Sequence, residues 1–112
     1  MTRKVFKYPV RVQSGTDVNP IIEVPEGAHF LCLRERIVEG GNFIFDTWWA
    51  VETDNNPVDI QLYVRGTGDE VPPSVTYLGT IFPVPFVFHV FQKDLVFTDM
   101  HIMDGKFVPR SQ

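Results

Sequence analysis

The stretch Asp59 to Gln92, DIQLYVRGTGDEVPPSVTYLGTIFPVPFVFHVFQ, decides the fold. It begins with a period of two: Val58, Ile60, Leu62 and Val64 point one way, and Asp59, Gln61, Tyr63 and Arg65 the other, which is the pattern of a half-buried strand. Gly66, Thr67 and Gly68 end that strand, and Pro72 and Pro73 keep the chain from rejoining a ladder at once. VTYLGTI then forms a strand whose central Gly79 marks a bulge or a close backbone approach. FVFHVF follows as an apolar run broken only by His89. It is expected to be buried on both sides, as a central strand, a barrel closure or a subunit interface.

Upstream, Lys4 to Val12 alternates, with Phe6, Tyr8, Val10 and Val12 inward and Lys7, Pro9 and Arg11 outward. Pro9 lacks a donor, so this strand belongs at a sheet edge or carries a bulge. Pro20 to Val24 is a short strand, and Pro25, Glu26 and Gly27 are turn residues. His29 to Val38 is a third strand, with Glu39, Gly40 and Gly41 as the hairpin signal. In the fourth, Asn42 to Glu52, one phase holds Phe43, Phe45, Trp49 and Val51, the other Ile44, Asp46, Trp48 and Ala50. One tryptophan is therefore core and the other faces outward. Downstream, Leu95 to Phe97 is apolar, and HIM, Asp104, Gly105, KFV has the form of a hairpin with an Asp-Gly turn. The expected fold is all-β: a small antiparallel sandwich or partly open barrel of about seven strands over residues 1–92, with a C-terminal hairpin extension at 93–112.

A chain of 112 residues fits one domain. Its lone Cys32 excludes an internal disulfide and, within HFLCL, is expected to be a buried thiol. There is no run of membrane-spanning length and no signal-peptide core at the start, so a protein soluble where it is made is expected. A formal net charge of −4 argues against bulk nucleic acid as a partner, because duplex binding neutralises many phosphates. The basic residues are nevertheless placed in phase. Lys7 and Arg11 share one face of the first strand, Arg34 and Arg36 one face of the third, and Arg65 ends the fifth on its polar side. They read either as solvated strand faces or as a local basic binding surface.

Catalytic material is sparse. Cys32 has no evident electropositive activator, no Gly-x-Ser-x-Gly elbow occurs, and Asp69 with Glu70 looks solvated rather than buried. Asp99, His101 and Asp104 make a weak metal set with a single imidazole, and no metal or cofactor is expected. His89 is either a satisfied core histidine or the lining of a pocket. The GTG turn offers backbone amides to a phosphate, with Thr67 and Arg65 assisting, yet as a turn it needs no ligand. No enzymatic activity is expected.

The order RGTG, PP, YLGT, VFHVFQ, preceded by KVFKYPV, VPEGAHFLCL and WWAVE, resembles a family of short uncharacterised proteins of tailed bacteriophages and prophages with a GTG, YIGT, FHVFE-like pattern. The likeness runs from about Val5 to Gln92. Gln92 departs from it where an acidic residue is usual, the Asp17 to Pro20 connection looks longer, and Lys93 to Gln112 extends past the usual end. The resemblance implies a viral accessory protein with a compact β fold and no established reaction. With it, the expected function is non-enzymatic binding to a host target. Either a defence protein is inhibited or a small nucleotide signal is sequestered, with Lys7, Arg11, Arg34, Arg36, Trp48, Trp49, Arg65, Thr67 and His89 as binding residues. The alternative is a structural or assembly protein of the virion. A homo-oligomer is expected in either case, with the tail and FVFHVF as interface candidates.

Overall fold

A computed structural model describes residues 2–13, 19–39, 42–94, 100–103 and 106–109, with backbone alone for 37–39, 100–103 and 106–109. Its elements are β1 (Arg3–Gln13), β2 (Ile21–Pro25), β3 (His29–Glu39), β4 (Asn42–Glu52), β5 (Pro57–Gly66), β6 (Val75–Ile81), β7 (Phe88–Lys93), β8 (Met100–Met103) and β9 (Lys106–Pro109). The first seven form two antiparallel sheets, ordered β1-β4-β3 and β2-β5-β7-β6, that do not close into a barrel. No helix is present among the described residues. β8 and β9 pair as the expected hairpin, Met103 opposite Lys106, while Asp104 and Gly105 between them lie outside the described residues.

The alternation fixes how the sheets face each other. β4 turns Phe43, Phe45, Thr47, Trp49 and Val51 inward, and all are buried. β5 does the same with Ile60, Leu62 and Val64, and β7 adds Val90. Phe43 of one sheet stacks on Phe88 of the other at 5.0 Å, and Leu33 of β3 reaches Gly79 of β6. Burial of this set supplies the main favourable contribution, at about 25 cal/mol per Å² of apolar surface. One polar side chain sits in the core without penalty: Thr47 Oγ1 accepts the indole N–H of Trp49 at 2.8 Å and donates to the Tyr8 carbonyl at 2.8 Å.

Edge strands carry the irregularities. Pro9 lies in the edge strand β1, as its missing donor requires. β3, the opposite edge, shifts register between Phe30 and Cys32 and again between Glu35 and Ile37. β6 shifts between Tyr77 and Gly79, so Gly79 marks both a bulge and a close approach. Gly27, with φ of 83°, completes the turn that Ala28 closes on the Pro25 carbonyl.

Three expectations are corrected. Cys32 is exposed, because the bulge after Phe30 breaks the alternation and turns both Leu31 and Cys32 outward. Phe6, in the inward phase, is 41% exposed: it lies in the N-terminal half of the edge strand β1, and burial begins only with Tyr8, Val10 and Val12 further along. FVFHVF is central in its sheet but not buried on both sides. Phe86 and Val87 belong to the β6–β7 connection and are exposed, and His89 and Phe91 face outward beside it.

Candidate functional site

The expected binding residues divide between the two outer faces of the sandwich and its core. On the outer face of β1-β4-β3, Trp48 occupies the middle strand, half-buried, with Lys7 opposite it on β1 and Cys32 opposite it on β3. Two residues along β4, Asp46 lies opposite Arg34, and two further, Ile44 lies opposite Arg11. Arg36 forks onto Asp46, Nε to Oδ2 at 3.0 Å and Nη2 to Oδ1 at 3.1 Å. This bidentate geometry covers the carboxylate, which explains why Asp46 is buried on an outward phase. Arg36 is therefore committed, whereas Lys7, Arg11 and Arg34 are exposed and make no ion pair among the described residues. The indole N–H of Trp48 has no partner there either.

Trp49 is fully buried, edge-on to Phe30 at 5.2 Å, with its N–H held by Thr47. A side chain so enclosed is not available to a ligand, and the period of two leaves Trp48 as the outward ring.

Arg65, Thr67 and His89 lie on the opposite sheet, so one basic face does not unite Arg65 with the other cations. Arg65 donates to the carbonyls of Glu70 at 3.1 Å and Val64 at 3.0 Å and to Asn19 Oδ1 at 2.9 Å, and it lies 5.3 Å over the Tyr63 ring. His89 is a satisfied histidine: Nε2 meets Thr67 Oγ1 at 2.9 Å and Nδ1 meets Thr80 Oγ1 at 2.9 Å. Thr80 in turn meets the Tyr77 hydroxyl at 2.5 Å. The Thr67 and His89 pair has the reach of a nucleophile and its base. Behind the imidazole, however, stands a neutral hydroxyl rather than a carboxylate able to stabilise an imidazolium.

The GTG turn is not an open phosphate cradle. Its Gly66 amide donates to Asp69 Oδ2 at 2.9 Å while the Asp69 amide returns to the Gly66 carbonyl at 3.1 Å. A carboxylate already fills the place an anion would take. Of the weak metal set, Asp99 and Asp104 lie outside the described residues and His101 stands on β8; among the described residues no group of His, Cys, Asp and Glu suits a metal ion.

The sequence reading missed Asp46, which only the bulged partner strand covers, and the aromatic row Tyr63, Phe91 and Tyr77. These three sit in register across β5, β7 and β6. The shared outward phase of Tyr63 with Arg65 and of Phe91 with His89 carried that signal; Tyr77 was hidden behind the bulge. A further apolar surface is the β6–β7 connection, where Phe82, Val84, Phe86 and Val87 are exposed.

A family model, DUF7352, a domain of unknown function, matches residues 1–97. The chain belongs to the DUF7352 family. The DUF7352 match takes in the seven strands of the sandwich and stops before β8 and β9. No curated protein and no solved structure matches the chain. No helix among the described residues is long and apolar enough to cross a membrane.

Proposed function

We propose that this DUF7352 protein is a non-catalytic binding protein that docks an acidic surface of another protein on the outer face of β1-β4-β3. One observation carries the reading. Trp48 stands half-exposed in the middle strand, and around it Lys7, Arg11 and Arg34 are exposed cations that make no ion pair among the described residues, on a chain of net charge −4. Tryptophan and arginine are the residues that dominate binding at protein interfaces, and a segregated basic face steers an acidic partner. The resemblance to phage proteins makes that partner a host component, with inhibition of a defence protein as the role. Sequestration of a nucleotide signal fits this face less well, because small-ligand sites are concave and an open sheet surface is not.

The test is affinity capture with the wild type beside Trp48→Ala and Lys7→Glu/Arg34→Glu, followed by reconstitution with the purified partner. The expected outcome is a loss of about tenfold or more in affinity for each variant, with wild-type binding weakened by salt. Unchanged affinity in the variants removes the reading. A Trp48-dependent thermal shift with cyclic or linear nucleotides transfers it to sequestration.

The exposed Phe82, Val84, Phe86 and Val87 favour a second reading, in which an assembly of copies or a virion neighbour buries this apolar connection. Finding the protein in purified particles supports it; absence from them removes it.

A further inference from the structure

We infer that the outer face of β2-β5-β7-β6 docks a second copy of this chain, which enters with its Lys7, Trp48 and Arg34 face. The inference rests on that basic face being a docking face, and not on which host protein it takes. Glu23 of β2 and Asp59 of β5 stand directly opposite each other, both exposed on the outward phase. Neither makes an ion pair or a side-chain hydrogen bond among the described residues, and like charges so placed repel. A cation brought from outside relieves that repulsion. The cations of this face stand elsewhere, Arg65 at the far end of β5 and Lys93 on β7, two strands from Glu23.

The fold holds the two faces in step. Only residues 53–56 join β4 to β5, so Glu52 and Pro57 lie at the same end of the sandwich. Leu33 of β3 packs on Gly79 of β6, which leaves β1 on the side of β2. A second copy displaced through the thickness of the sandwich, without rotation, therefore lays its β1 and β4 over β2 and β5, and its β3 over β7 and β6. Trp48 comes four residues before Glu52 and Gln61 four after Pro57, so the Lys7 and Trp48 row arrives level with Gln61 and Ile21. Lys7 is then one same-face step, about 7 Å, from the Glu23 and Asp59 row, a gap its long flexible side chain spans. Arg34, opposite Asp46, arrives level with Tyr63, in the row of Phe91 and Tyr77, where a guanidinium is attracted to ring faces. Apolar side chains complete the match: Val5 and Leu31 are exposed on the entering copy, Ile21 and Tyr77 on the receiving one. An apolar centre with a charged rim is the make-up of a protein interface. Because the two faces differ, the contact is head-to-tail and repeats from copy to copy.

The experiment is sedimentation velocity over a concentration series. At low salt and high protein concentration the weight-average sedimentation coefficient is expected to keep rising, and raised salt to reverse the rise. Lys7→Glu/Arg34→Glu and Glu23→Lys/Asp59→Lys should each weaken association about tenfold or more, since each spoils one of the two faces. Mixing the two variants should restore it, because the intact face of one meets the intact face of the other; thermal unfolding of each confirms the fold. A monomer at every concentration, association unchanged in either variant, association that resists salt, or a mixture no larger than its separate components overturns the inference. A host partner lost by Lys7→Glu/Arg34→Glu but kept by Glu23→Lys/Asp59→Lys, on a chain that stays monomeric, leaves the earlier reading standing and sinks this one. Self-association with host affinity unchanged in both variants does the reverse.

Discussion

Gly79 of β6 faces Leu33 of β3 across the sandwich so closely that a Cβ at position 79 would lie 3.3 Å from Leu33 Cγ. The two sheets meet here at the distance of a missing methyl. Gly79→Val is expected to cost about 1–3 kcal/mol by overpacking, and Leu33→Ala in the same chain should return part of that loss. Urea unfolding of the two single variants and the double variant measures the coupling; strict additivity of the two effects contradicts this contact.

The adjacent tryptophans should behave oppositely. Trp49→Ala opens a cavity and removes the N–H that Thr47 Oγ1 accepts, at a cost of about 3–5 kcal/mol. Trp48→Ala should change stability by about 1 kcal/mol or less. In Trp48→Phe, where Trp49 is the remaining indole, acrylamide should quench fluorescence weakly; in Trp49→Phe it should quench more strongly.

Removing Arg36 uncovers a carboxylate that the fold has buried. Arg36→Ala is expected to cost about 1–3 kcal/mol, more than Arg34→Ala, whose guanidinium has no partner among the described residues. Equal midpoints for the two variants in guanidinium unfolding would contradict the fork on Asp46.

Burial pushes the Tyr8 phenol above its ordinary range. The folded chain therefore holds this proton to higher pH than the unfolded chain does. Its contribution to stability is complete below the unfolded value and is lost as pH rises through the folded one. Melting temperature should fall on the alkaline limb above about pH 10, and Tyr8→Phe should flatten that limb.

Cys32 is exposed, opposite Trp48 and two strands from Lys7. A maleimide should label it in the native protein as fast as in denaturant. The adduct should also block the Trp48 face while leaving the Glu23 and Asp59 row untouched.

Much of the fold was legible because a period of two states which side chains share a face. Val58 to Val64 and Phe43 to Val51 kept that period and were placed correctly. Cys32 was misplaced because a bulge inverts the phase, and nothing in HFLCL announces one; Gly79 announced its own. The site was less legible for a different reason. Alternation assigns a residue to a side of its strand but not to a sheet, and hydrogen bonding sends β3 to β4 and β5 to β2 and β7. Arg34 and Arg65 thereby end on opposite surfaces. The tie between Tyr77 and Thr80 depends on a side-chain rotamer that spacing does not specify.

Each border of the two sheets carries a feature that discourages an incoming strand: Pro9 removes a donor from β1, β2 is five residues long, and β3 and β6 are irregular at their register shifts. Such borders favour recognition by projecting side chains over recognition by backbone extension. Affinity of that kind can be rewritten one substitution at a time, with the ladders beneath left intact. A domain built this way can change its target faster than its shape.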